Sequence, residues 1–197
     1  MSFEIFLALF VFAFVTSITP GPNNLMLLAS GVNFGFRRTI PHMLGIGAGF
    51  FSLLMAVGFG LGALMAAMPS IYVALKFTGG IYMLHLAWKI ATARSIGDAR
   101  SSSRPLSFLQ AALFQWVNPK AWVMAVTGLA TYATHEDHNL AVVLVSTVFA
   151  LVNLPCVSSW AGFGTLLRKW LADPLRLAWF NRVMGVLLVT SLWPMLK

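Results

Sequence analysis

Lys120 sits about 12 residues into the apolar stretch Phe108–Tyr132, close to the bilayer midplane if that stretch is one membrane-spanning helix. An ionisable group at that depth costs at least ~2.5–3.5 kcal/mol on insertion scales and is placed too deep to snorkel easily. Such a lysine should face the bundle interior and bind a substrate, an ion or a proton. A shifted span edge is the competing reading, since Trp116 and Trp122 are the residue type that marks a membrane interface. The second signal is Thr19-Pro20-Gly21-Pro22-Asn23-Asn24. Two prolines around a glycine remove backbone donors and break a helix. Carbonyls freed at membrane depth are tolerated only where protein buries them or where they line a wet cavity. The half-helix resuming at Asn23-Asn24 aims its positive N-terminus into that cavity, a seat for a carboxylate, with Thr19 placed to cap or coordinate.

A second break, Asn118-Pro119, directly precedes Lys120. The candidate binding residues are therefore Thr19, Pro20, Gly21, Pro22, Asn23, Asn24, Asn118, Pro119 and Lys120. They suit a zwitterion, its carboxylate near Lys120 and the half-helix N-terminus, its ammonium on amide oxygens and freed carbonyls. No carboxylate lies deep in an apolar stretch, Glu4 being at an edge, which argues against a dibasic substrate.

Other residues read more plainly. His135-Glu136-Asp137-His138 could grip a metal, but a polar exterior turn explains it better and no further ligand cluster accompanies it. His85 could relay protons or, with Trp88, face an interface. Asn153, Pro155 and Cys156 mark a kink that lines a pathway. The pairs Gly45–Gly49 and Gly58–Gly62 have the small-xxx-small spacing of close helix packing. No Ser/His/Asp set, paired carboxylate or zinc-protease motif exists, so neither an enzyme nor a cofactor or metal site is expected.

The elements that must hold these residues come from 197 residues that are 59% hydrophobic and 9% charged, with a mean hydropathy of +0.83. Soluble domains carry about 25% charged residues, so a water-soluble globule is excluded. Six spans of ~20 residues need ~120, leaving about 77 for loops and no soluble catalytic domain. The apolar runs give Phe3–Ser30, Thr39–Ala66, Ile71–Ala91, Phe108–Tyr132, Leu140–Leu167 and Leu177–Leu196, an all-α membrane protein forming one polytopic domain. Met1-Ser2-Phe3-Glu4 lacks a basic leader, so the first run is expected to stay as a span. The single Cys156 excludes an intramolecular disulfide.

The net charge of +8 orients the chain rather than binding nucleic acid. Arg37, Arg38, Lys89, Arg94, Arg100, Arg104, Arg168, Lys169, Arg176 and Arg182 fall on one side, Lys76 and Lys197 on the other. The positive-inside rule puts the first set in the cytoplasm and both termini outside. Half-repeats of about 1–92 and 107–197, joined by a linker of about 93–106, hold three spans each and must be inverted if related. Spans one and four are the broken ones, and spans two and five carry Gly45, Gly47 and Gly49 against Gly162 and Gly164.

With Thr19-Pro20-Gly21-Pro22, a glycine-rich second span, Gly79-Gly80-Ile81-Tyr82 through Leu86-Ala87-Trp88-Lys89, and Asn118-Pro119-Lys120, the chain resembles the lysine-exporter superfamily (LysE/RhtB) over essentially its full length. It looks most like the branch exporting cysteine and O-acetylserine, on Thr19–Asn24, Ala87–Ala91 and the Phe114–Asn118 neighbourhood. The resemblance implies a secondary exporter of small neutral amino acids, such as cysteine, O-acetylserine, homoserine or threonine, in the bacterial inner membrane. Its partners would be the amino acid and the bilayer, with a homodimer admitted, and its driver the proton-motive force. Many members have Asp directly after T-P-G-P, where this chain has Asn23; Lys120 is then the candidate to carry the coupling proton. The alternatives are a permease for a metal ion or organic anion, and a non-transporting scaffold.

Overall fold

Prolines and short polar caps set most of the helix starts. The structure, a computed structural model, describes residues 1–93, 104–133 and 137–193, and every regular element among them is helical. Ser2 caps α1 (Phe3–Ile18), and Pro22 opens α2 (Pro22–Phe34). Next come α3 (Phe36–Ala56), a π-helical turn (Val57–Leu61), the short α4 (Gly62–Ala67) and α5 (Pro69–Ala91). Ser107 and Gln110 form a reciprocal capping box on α6 (Phe108–Gln115). Asn118 caps α7 (Pro119–Tyr132), and Asp137 caps α8 (His138–Leu167). A 3-10 turn (Trp170–Ala172) leads to α9 (Pro174–Thr190).

Several edges differ from those the hydropathy gives. The first apolar stretch is two helices bent by 55°, and it runs on to Phe34. There Gly35, at φ +81°, ends α2 and starts α3, a left-handed conformation that a glycine adopts without strain. The last helix begins at Pro174 rather than Leu177, because Asp173 Oδ1 accepts from the Leu175 and Arg176 N–H groups at 2.9 Å each. It ends at Thr190. Residues 94–103, with Arg94 and Arg100, residues 134–136, with His135 and Glu136, and residues 194–197, with Lys197, lie outside the described part of the chain.

Two helical runs, Phe36–Met65 and His138–Leu167, are long and apolar enough to cross a membrane, and the bent α1–α2 pair passes as a third. α8 packs along α1, α2 and α3; α3 packs on α6; α5 pairs with α9. Glycine allows the closest crossings. A Cβ on Gly31 would strike the Ala161 carbonyl and one on Gly164 the Leu28 carbonyl, fixing α2 on α8. Gly45 and Gly49 do the same for α3 against Phe108 and Ala112 of α6. The second small-xxx-small pair behaves differently: Gly58 abuts Val142, but Gly62 meets only Val57, and the run forms the π-turn with Gly60 at φ +115°.

Within the core, Phe149 makes edge contacts with Phe12 and Phe50 at 5.9 and 5.8 Å. Large apolar side chains such as Leu151, Leu166 and Trp179 point outward, the surface lipid would cover. At one end the guanidinium groups of Arg38, Arg176 and Arg182 lie over Phe34, Trp170 and Trp179 at 6.0, 5.3 and 5.6 Å. Arg168 reaches Gly35 at the same end.

Candidate functional site

The break between α1 and α2 frees a run of carbonyls, and each finds a donor from another part of the chain. Asn24 Nδ2 donates to Ser17 O at 2.9 Å and Thr19 O at 2.7 Å. Trp160 Nε1 of α8 donates to Ile18 O at 3.1 Å. Lys120 Nζ reaches across from α7 to Thr19 O at 2.6 Å, Thr19 Oγ1 at 3.0 Å and Pro20 O at 3.4 Å. Gly21 makes room for this: a Cβ there would lie 2.6 Å from Lys120 Cδ. α2 then starts with no side-chain cap, so N–H groups of its first turn remain open.

The second break, between α6 and α7, is satisfied locally. Trp122 Nε1 donates to Trp116 O at 2.8 Å, and the Lys120 N–H donates to Asn118 Oδ1 at 3.1 Å. Gly79 lets α5 close on the Val117 carbonyl. A reciprocal amide pair ties the two breaks together: Asn23 Nδ2 donates to Gln115 Oε1 at 2.7 Å, and Gln115 Nε2 donates to Asn23 Oδ1 at 3.1 Å.

Thr19, Pro20, Gly21, Pro22, Asn23, Asn24, Asn118, Pro119 and Lys120 thus stand together around the two breaks. Gly21, Asn23, Asn24, Asn118 and Lys120 line a cavity of about 20 Å³, room for about one water. Pro20, Gly21, Pro22, Pro119 and Lys120 also line a much larger cavity of about 780 Å³, which extends to Lys76 and Thr190. Half-buried Lys120 is common to both.

Gln115, Ser17, Asn153 and Trp160 join the site without having been singled out as binding residues. Asn153 on α8 donates to Ser17 Oγ at 3.1 Å, while its Oδ1 is buried with no partner among the described residues. It lines the small cavity, as does Lys120. Gln115 carried a readable signal, being an amide inside an apolar stretch three positions before Asn118. Pro155 sits within α8 without interrupting it. Asp137 is spent capping α8, and His138 Nε2 contacts Gly58 O at 2.9 Å, so both have structural work. His85 is exposed and stacked on Tyr82.

The family described as LysE type translocator matches residues 14–190. Among curated proteins, the chain is similar to the cysteine/O-acetylserine efflux proteins of Escherichia coli (strain K12), Shigella flexneri serotype 5b and Shigella sonnei. Each is 32% identical over 164 residues, which span 82% of this chain and 83% of the relative. No solved structure matches it.

Proposed function

The chain belongs to the LysE type translocator family and is a membrane transporter, not an enzyme; from this premise we propose that it exports small neutral amino acids across the bacterial cytoplasmic membrane. Cysteine and O-acetylserine, the solutes in the relatives' names, lead the list, with homoserine and threonine beside them. The observation that carries the reading is Lys120, bound to the freed carbonyls of the opposite break between a one-water cavity and a large one.

The chemistry favours a zwitterion. The substrate carboxylate exchanges for the Thr19 and Pro20 carbonyls on Lys120 and uses the open N–H groups of α2. The ammonium takes Asn153 Oδ1, the acceptor left without a donor, and the freed carbonyls that Lys120 gives up. An organic anion would satisfy Lys120 and leave that oxygen orphaned, so the amino acid fits better. A cavity of about 20 Å³ cannot hold one, so binding requires the two breaks to part, the opening step of alternating access.

The architecture we propose has six spans in two inverted halves, spans one and four being α1–α2 and α6–α7. Its support is the reciprocal packing: α3 rests on α6 as α8 rests on α1, and each half brings its break to the same place. The cluster of arginines at one end faces the cytoplasm, which leaves both termini and the large cavity outside. Export is driven by the proton gradient, with Lys120, the one titratable group among the described residues that line the small cavity, as the coupling residue.

The test is efflux from proteoliposomes under an imposed pH gradient, with labelled cysteine, O-acetylserine, homoserine, threonine, leucine and lysine, wild type beside Lys120→Ala. Flux of one neutral amino acid that the variant loses is the expected result. Undiminished flux in the variant discards the site. Flux indifferent to the gradient discards the coupling, and no flux from folded protein discards the substrate class.

A further inference from the structure

A second cavity, of about 70 Å³, lies toward the arginine-rich end, lined by Ser30 and Asn33 of α2, His42 of α3, Lys89 of α5 and Arg104 ahead of α6, with Met26 as part of its apolar wall. That is room for a few waters or for the head of a small molecule. Its polar groups are unequally used. Ser30 shares a hydrogen bond with Thr39 at 2.9 Å. Asn33 donates to Ala29 O at 2.8 Å and to Asn181 Oδ1 at 3.1 Å. His42 is 1% exposed, yet neither ring nitrogen has a partner among the described residues. A buried imidazole carries one N–H to give and one lone pair to fill in its neutral form, and leaving both unused calls for a ligand. At the rim Lys89 and Arg104 are exposed and, among the described residues, neither makes an ion pair nor has a carboxylate beside it in the cavity lining.

We propose that this cavity is a reception site on the cytoplasmic side, which takes a small amino acid by its carboxylate before the midplane site does. This rests on the exporter reading above. Lys89 and Arg104 supply the positive charge, His42 the hydrogen bond at depth, and the apolar wall limits the side chain to a small one. The handover distance is short: Ser30 here and Asn24 in the midplane cavity share α2 and lie about 9 Å apart along it. Rim cations of this kind chiefly raise the local concentration of an anionic group, so they should govern half-saturation rather than the maximal rate.

The experiment is O-acetylserine flux in proteoliposomes, presented at either face, for wild type, Lys89→Gln/Arg104→Gln and His42→Leu. The double variant changes only exposed positions and should fold as the wild type does. Its half-saturation at the cytoplasmic face should rise about tenfold, with maximal rate within about twofold, and values at the other face should stay put. His42→Leu should shift the same parameter in the same direction. Unchanged half-saturation in the double variant, or an equal rise at both faces, overturns the site. If the wild type moves neither O-acetylserine nor any other neutral amino acid of the panel, the exporter reading fails instead. Equilibrium binding of O-acetylserine to detergent-purified protein then decides the cavity: weaker binding by the double variant upholds it, and equal binding overturns it.

Discussion

The two helix breaks solve one physical problem in opposite ways. At Thr19–Gly21 the freed carbonyls are capped by side chains from elsewhere in the bundle: Asn24 on the next helix, Trp160 on α8 and Lys120 on α7. At Trp116–Asn118 the partners are local, Trp122 six residues along and Asn118 capping its own helix. An unpaired carbonyl in a lipid-excluded interior costs several kcal/mol, so neither break can open without replacing its donors. On the proposed reading the first exchanges Lys120 for the substrate ammonium; the second holds the Trp116 carbonyl with a local partner and is tied to the first by the Asn23–Gln115 amide pair. On that reading the first break binds and the second carries the lysine.

Variants rank this contrast. The largest effect belongs to Lys120→Gln, which withdraws the charged donor from Thr19 and Pro20 and the counter-charge from the substrate. Hydrogen bonds to charged groups are worth about 1.5–3 kcal/mol, so initial efflux should fall roughly 10–100-fold. A rate within twofold of wild type would end the binding role of the first break. Gly21→Ala comes next. It leaves the charge but forces the Lys120 stem off a point 2.6 Å away, and efflux should drop about fivefold to tenfold with little change in thermal midpoint. If Gly21→Ala destabilises the protein without slowing transport, the close approach is packing only.

Much of this was legible in the sequence. The Pro20-Gly21-Pro22 run, the lysine within an apolar stretch and the Gly45–Gly49 ridge have strong local meanings, and the structure places the named site residues around one pair of breaks. What was not legible is who satisfies whom. Gln115 is 92 residues from Asn23, and Trp160 is 142 from Ile18. Such partners are set by how helices cross, which hydropathy does not encode. α9 starts three residues before the apolar run at Leu177 for a simpler reason: the Asp173-Pro174 cap extends the helix beyond that run. The tryptophans beside Lys120 pointed to a membrane interface, yet the Trp122 indole donates to the backbone of the break, a use for the ring that composition alone does not reveal.

A matched pair of caps sharpens the comparison further. Asn118→Ala removes an N-cap, worth about 0.5–2 kcal/mol, and should lower the thermal midpoint while leaving efflux within about threefold. Asn24→Ala removes the donor from two carbonyls of the first break, so it should slow efflux well beyond threefold at a similar stability loss. Equal kinetic effects from the two would mean that both breaks take part in binding.

The smallest effects come from the two indoles, and they isolate the distinction most cleanly. Trp160→Phe and Trp122→Phe each delete one N–H···O bond, of 3.1 and 2.8 Å, and keep most of the ring. Each should cost about 0.5–1.5 kcal/mol of stability. Their consequences for transport should diverge nonetheless. On the proposed reading Ile18 O lies in the segment that releases Lys120 to the substrate, so losing its tether to α8 should loosen that segment and shift half-saturation. Trp116 O lies in a turn that keeps its other local bonds throughout, so Trp122→Phe should change the melting midpoint alone. Half-saturation that moves equally in both variants would show the second break to be as responsive as the first, and the division of labour between them would fall.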